Sequence, residues 1–293
     1  MATVIRRPPW LPNELYRDII AHVPGRAELA TLCIVSSTLR FEAERVLYRV
    51  VEVLEYRRIS SWSVTIASSS CLAGLVHSIT FPSSIDTPTD MIRQALGRTV
   101  NLKYLAIKSS GSWLLPLVSY SCVQTDMLIG CGFRLYGLSG ELHWYYPGDL
   151  WQVFSEQSEI RSWALGKSAR LYLPSLPRRI LPNLSELDLP MPSLLPHFAS
   201  KPIEYLSVSI PWSFPNGIEQ LALFKNTLIS LTFRIEGMML AESIRGLIAI
   251  VVDQVPDIKS FHYYAKVTPD PVRLFRSLSW NKPSLMTTHR CTI

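Results

Sequence analysis

Residues able to do chemistry are scattered along this chain rather than gathered into motifs. Gly166-Lys167-Ser168 matches the end of a phosphate-binding loop, but the earlier glycine that motif needs would fall at Arg161. Without it the backbone cannot wrap a phosphate. Gly130-Cys131-Gly132 opens like a dinucleotide fingerprint, yet the third glycine position holds Leu135. The six histidines (His22, His77, His143, His197, His262, His289) form no H-E-x-x-H pair and adjoin no cysteine pair at zinc-ligand spacing. There is no G-x-S-x-G elbow for a serine nucleophile. Asn183-Leu184-Ser185 is a formal glycosylation sequon, but it lies inside an expected buried strand. Trp144-Tyr145-Tyr146 offers rings for stacking, although aromatics beside Pro147-Gly148 more often fill a turn. The sequence therefore implies no catalytic residue, no cofactor and no metal.

Composition narrows the class. Of the 293 residues, 48% are hydrophobic and only 18% charged, which is globular rather than disordered. The formal charge of +6 invites a nucleic-acid reading, so its distribution matters. Residues 1–60 hold nine Lys/Arg against seven Asp/Glu, residues 61–180 ten against seven, and residues 181–293 ten against nine. Phosphate binding needs clustered cations, and the only short basic pairs are Arg6-Arg7, Arg57-Arg58 and Arg178-Arg179. Nucleic acid is not the expected partner. The five cysteines (Cys33, Cys71, Cys122, Cys131, Cys291) are odd in number and irregularly spaced, which fits reduced thiols. No apolar stretch within Met1 to Trp10 suggests a secretory signal, and the run Leu247 to Val252 is too short to span a bilayer. A cytoplasmic or nuclear protein without a membrane partner is expected.

The elements come next. Leu11-Pro12 opens a first helix, since proline suits an initial turn where its missing N–H has no partner anyway. Leu15, Ile19 and Val23 make its apolar stripe, and Pro24-Gly25 ends it. A second helix from Arg26 carries Leu29, Leu32 and Val35 at three-residue steps. Ser36-Ser37-Thr38 supplies cap candidates for a third, bearing Leu39, Ala43, Val46, Leu47 and Val50. A unit of about 40 residues has too little interior to stand alone. Its surplus apolar residues imply docking, onto the rest of the chain or onto a partner.

Leu11-Pro12-Asn13-Glu14-Leu15, then Ile19, then Leu29-x-x-Leu32-x-x-Val35-Ser36 resembles an F-box. Glu42 through Val51 resembles the segment that closes this module in many fungal members. The resemblance implies a non-catalytic subunit that docks to the Skp adaptor of an SCF-type, cullin-based ubiquitin ligase and recruits a target. By position, Leu11, Pro12, Ile19, Leu29, Leu32 and Val35 would supply adaptor contacts or the helix packing beneath them. The plain alternative is a helical cap on a repeat array, whose terminal apolar surface must be covered.

Such an array is legible downstream. The pattern apolar-x-x-apolar-x-apolar recurs as Val76-Ile79-Phe81, Leu102-Leu105-Ile107, Phe133-Tyr136-Leu138 and Ile160-Trp163-Leu165. It continues as Leu184-Leu187-Leu189, Ile203-Leu206-Val208, Leu228-Leu231-Phe233 and Ile258-Phe261-Tyr263. The starts lie 26, 31, 27, 24, 19, 25 and 30 residues apart, the range of leucine-rich repeats. Helices are expected at 90–96, around Leu150, Val153 and Phe154, and at 244–255, with irregular chain near Pro190, Pro192 and Pro196. Val51 and Val53 suggest a short strand, and 59–66, with Trp62, a helix.

The expected fold is thus α/β: an F-box-like helical module at 1–51, a packed connecting segment at 52–74, and an irregular leucine-rich-repeat-like solenoid with a parallel sheet at 75–293. The second and third apolar positions of each pulse point inward, and the residues beside them point to a concave face. That face holds Tyr205, Ser207 and Ser209, then Ser230, Thr232 and Arg234, then Ser260, His262 and Tyr264; the pulses at 133 and 160 place Leu135, Gly137, Ser139, Ser162, Ala164 and Gly166 there. Tyrosine and arginine are enriched at binding hot spots, so Tyr205, Arg234, His262 and Tyr264 are the candidate target contacts. A non-ligase scaffold, or an enzyme or nucleic-acid binder whose site joins residues distant in sequence, stays open at this point.

Overall fold

A computed structural model describes residues 12–53, 55–82, 89–108, 125–140, 147–166, 175–211, 217–238, 241–266 and 288–291. Leu11, Cys122, His143 and the Trp144-Tyr145-Tyr146 cluster lie outside them. Among the described residues no helix is long and apolar enough to cross a membrane.

The fold is α/β, built on a single sheet whose ten strands lie in chain order. They are β1 (Val50–Glu52), β2 (Ser78–Pro82), β3 (Tyr104–Lys108), β4 (Gly137–Gly140), β5 (Ser162–Leu165), β6 (Glu186–Leu189), β7 (Tyr205–Pro211), β8 (Ser230–Met238), β9 (Ser260–Lys266) and β10 (Thr288–Cys291). The first nine are parallel, and β10 runs antiparallel to β9. Parallel neighbours cannot be joined by a tight turn, so each connection must cross back over the sheet. Helices do so where the chain is long enough: α4 (Tyr56–Ser68), α5 (Ser70–Leu75), α6 (Thr89–Arg98), α7 (Pro147–Glu156) and α8 (Ala241–Gln254). Shorter returns use 3-10 turns at Pro192–Phe198 and Ile218–Phe224, where prolines or a short connection leave no room for an α-helix.

Register shows what stacks. Val51, Ile79, Leu105, Leu138, Trp163, Leu187, Leu206, Leu231 and Phe261 are partners in sequence across the nine parallel strands, and all are buried in one core. Just before the strands a second file, Val76, Leu102, Leu135, Ile160, Leu184, Ile203, Leu228 and Ile258, is buried as well. Aromatic rings cross between turns: Phe154 meets Trp163 edge-on at 4.7 Å, and Trp163 meets Phe198 at 5.7 Å.

One pulse was misplaced. The third turn is Leu135-x-x-Leu138-x-Gly140, two residues later than the expected Phe133-Tyr136-Leu138. Leu135 is therefore interior rather than on the open face, and Tyr136 is only half-buried. Tyr136 instead takes Lys103 and Arg161, from the two neighbouring turns, against its ring at 4.9 and 5.7 Å. The cause is Gly140. It has φ +107°, and a Cβ there would lie 1.8 Å from the Ile107 carbonyl oxygen, so no apolar residue can complete the pattern.

Buried polar groups hold the irregular returns. The Gln157 amide accepts from Leu135 N–H at 2.9 Å and donates to Phe133 C=O at 3.2 Å. Asn101 and Asn183 each donate one turn back, to Gly74 C=O at 2.7 Å and Ser158 C=O at 3.2 Å. Lys201, only 4% exposed, donates its ammonium to the carbonyls of Pro177, Arg178 and Ile180. Burial lowers the pKa of that ammonium, and three carbonyl dipoles oppose the loss of its charge.

The N-terminal unit comprises α1 (Asn13–Ala21), α2 (Arg26–Val35) and α3 (Ser37–Arg49). Pro12 stands at the N-cap of α1, and Ser36 Oγ caps α3 by accepting from Leu39 N–H at 3.2 Å. Its own core is small: Ile20, Leu29 and Ala43, with Val23, Leu32, Leu39, Val46 and Leu47 around them. The nearly buried Glu42 carboxylate bridges Arg45 at 2.8 Å and Arg17 of α1 at 3.5 Å. The chain then passes without a break from α3 into β1.

Two outcomes test this packing. Leu206→Ala should lower the unfolding free energy by about 2–5 kcal/mol in urea melts, because its neighbours in the file cannot collapse into the space. Cys131 is buried, and its thiol pKa is pushed up to about 11, first by desolvation and then by Glu156. Iodoacetamide near pH 8 should therefore label exposed Cys71 and leave Cys131 unmodified until the chain unfolds. Because the folded thiol holds its proton more tightly than the unfolded one, stability should fall as pH rises from about 8.5 toward that raised value.

Candidate functional site

Two surfaces remain after the core is assigned. On the N-terminal unit, Leu29 is buried and Leu32 half-buried, so these two belong to the packing of the helices. Pro12 is exposed, and Ile19 and Val35 are 57% and 64% exposed. Leu11 falls outside the described residues. The structure adds Ile34 at 86% exposure and Phe41 at 56%, with Leu15 also exposed. Ile34 was invisible to the helical period because Val35, its neighbour, completes the three-residue spacing. Five large apolar side chains therefore face water on a unit of three short helices.

The second surface is the outward face of the sheet. Tyr205, Arg234, His262 and Tyr264 all lie on it, as their alternation with buried Leu206, Phe233 and Phe261 requires. Arg234 and Tyr264 are direct partners across β8 and β9, and His262 partners Thr232. Tyr205 is on β7, one strand from Arg234 and two from His262 and Tyr264, beside Glu186 and Ser230.

Arg234 is already engaged. Its guanidinium spans β7 and grips both oxygens of Asp188 on β6, Nη1 donating at 2.6 Å, while Nε donates to Ser209 Oγ at 3.3 Å. The motif Glu186-Leu187-Asp188-Leu189 carried the missed signal: strict alternation puts both carboxylates outward, opposite buried Leu187 and Leu189. Compared with known families and curated proteins, the sequence matches no family model and no curated protein.

Between these groups lies a groove of about 240 Å³. Ser207, Ser230 and Thr232 give it a short, hydroxyl-bearing floor, with Ser162 at one end. Glu186, Asp188 and Tyr205 are its taller walls. A nucleophilic reading meets a geometric obstacle. Ser260 Oγ and His262 Nε2 lie 2.7 Å apart, which imitates a nucleophile with its base. However, β9 is paired on both sides, so its N–H groups are held in the ladder rather than aimed at a developing oxyanion. Ser230 Oγ, at 3.5 Å from Ser260, extends a hydroxyl row suited to binding.

The Asp188–Arg234 grip can be measured. Both side chains touch solvent, at 42% and 30% exposure for arginine and aspartate, so the coupling is screened. A double-mutant cycle with Asp188→Asn and Arg234→Gln should give about 1 kcal/mol at low salt, the upper end for pairs in contact with water, because the bond is two-pronged. It should shrink as salt rises, and zero coupling would show that the grip does not persist in solution.

Proposed function

We propose that the chain is a non-catalytic, target-recruiting subunit of an SCF-type ubiquitin ligase. On this reading α1 to α3 form an F-box that docks to a Skp-type adaptor and, through it, to a cullin ligase. The stacked strands form an irregular leucine-rich-repeat-like solenoid whose outward face holds the target protein. A cytoplasmic or nuclear location follows from the same reading.

The observation that carries the proposal is the exposure of five large apolar side chains, Leu15, Ile19, Ile34, Val35 and Phe41. A unit whose fully buried core is Ile20, Leu29 and Ala43 leaves these five side chains in water. Such surface is favourable only when covered, and a partner of apolar, groove-like chemistry covers it. The helical-cap alternative accounts for the other side of the unit. There α3 runs into β1 and packs on α5, and Tyr48 meets the main core. It gives no role to Ile19 or Ile34.

The solenoid reading is supported by one parallel strand per turn, each pairing only with its chain neighbours. Such turns cannot bury their apolar sides singly and gain stability by stacking.

Co-expression with a Skp-type adaptor tests the proposal. Ile19→Glu combined with Ile34→Glu should abolish adaptor capture, since truncating interface anchors commonly costs about 2 kcal/mol or more each. Thermal midpoint and circular dichroism should stay near wild type, because both side chains already face water. Undiminished capture by this variant would end the F-box reading.

A further inference from the structure

We propose that the groove beside Tyr205 is a receptor for a single basic side chain, arginine or lysine, presented by an extended segment of a target polypeptide. The inference rests on reading the outward sheet face as the target surface, and it commits that face to one chemistry.

Charge decides the sign of the ligand. Two carboxylates, Glu186 and Asp188, wall the groove, and no basic residue lines it. Arg234, which reaches the groove wall at Asp188, is consumed by its two-pronged grip on that carboxylate. Among the described residues Glu186 has neither an ion-pair partner nor a hydrogen-bond donor to its carboxylate. The groove therefore carries one uncompensated formal negative charge, on a chain whose formal charge is +6. An acidic or phosphorylated segment, which the chain's overall charge would favour, would be repelled here.

Shape selects the side chain. Glu186 and Tyr205 are register partners on adjacent strands, so a carboxylate and an aromatic ring stand side by side. Strands lie about 4.8 Å apart, which lets one cation meet both. A guanidinium or ammonium group can donate charge-assisted hydrogen bonds to the carboxylate while lying against the ring. The floor at Ser207 and Ser230 is short because both residues are small, and their hydroxyl oxygens accept the remaining N–H donors. Asp188 does not compete for the ligand, since Arg234 holds both its oxygens.

The test uses the full chain and a random dodecapeptide library displayed on its own messenger RNA, selected at low salt without any adaptor present. The enriched peptides should share one arginine or lysine at a fixed position. For the leading peptide, Glu186→Gln should weaken binding about tenfold or more, as loss of a charge-assisted bond does. Replacing the peptide's arginine with neutral citrulline, or its lysine with norleucine, should cost as much. Combining either peptide change with Glu186→Gln should add little further loss. Enriched peptides without a fixed basic residue, affinities indifferent to Glu186→Gln, or no enrichment at all would each overturn the proposal. Because no adaptor is present, failure of adaptor docking leaves this result untouched, and the Ile19→Glu, Ile34→Glu variant should select the same peptides.

Discussion

Everything else in this structure depends on one shared file of interior side chains. A strand of four or five residues buries too little apolar surface to hold itself in place, and here most strands are that short. The file from Val51 to Phe261 solves this by letting each turn bury its side chain between the turns before and after. Register is then strongly fixed, because a slip of one residue would send Leu187 or Leu206 to the water and turn a carboxylate, or a tyrosine or serine, inward. The backbone reinforces the same register just before the strands. Each carbonyl of His77, Lys103, Tyr136, Arg161, Ser185, Glu204 and Ile229 accepts from the next turn.

Fixing the inner file sets the outer face free. No interior requirement touches Glu186, Tyr205 or Thr232, so the outward residues can carry charge and hydroxyl groups without cost to the core. Irregularity in the returns is absorbed locally instead. Where a return runs irregularly, a buried side chain supplies hydrogen bonds to its backbone, as Lys201 does for three carbonyls and Gln157 does for two backbone groups. Leaving those groups bare would cost more than ordering one long side chain. The outer face tolerates close fits too: Tyr104 leans over Gly137, where a Cβ would meet its ring at 2.7 Å.

Much of this was legible in the residues, for physical reasons. Period-three and period-two alternation are direct consequences of burial, so α1 to α3, β2, β3 and β5 to β9 emerge from sequence alone. The caps at Pro12 and Ser36 are equally local. The third turn failed because its pattern ends in Gly140, chosen by contact with Ile107 on another strand, which no local pattern records. The short helix α5 was not among the expected elements. Ser69 Oγ caps the helix by accepting from Leu72 N–H at 3.3 Å. Of the candidate contacts, the facing direction of Tyr205, Arg234, His262 and Tyr264 follows from alternation. Arg234's partner does not, because Asp188 lies 46 residues away and two strands across. Electrostatic pairing across strands depends on register, and register is set by the whole stack.

The junction of the two parts carries a consequence for the proposed function. Arg26, at the first position of α2, donates to the carbonyls of Leu47 at 3.2 Å and Val50 at 3.3 Å. A cation is favourable at that end of α3, where unpaired carbonyls collect the negative end of the helix dipole. The Val50 bond ties α2 to the first residue of β1, so the helix bearing Ile34 and Val35 is joined directly to the edge of the sheet. Glu42 does the equivalent for α1 by pairing with Arg17. Neither contact adds much to stability, since Arg17 and Arg26 reach through water-accessible surface. Their effect is geometric: α1 and α2 are each bonded to α3, and α3 runs directly into β1. On the proposed reading, the helices that would meet an adaptor are joined to the sheet that would meet a target through α3 and the Val50 carbonyl rather than through a linker.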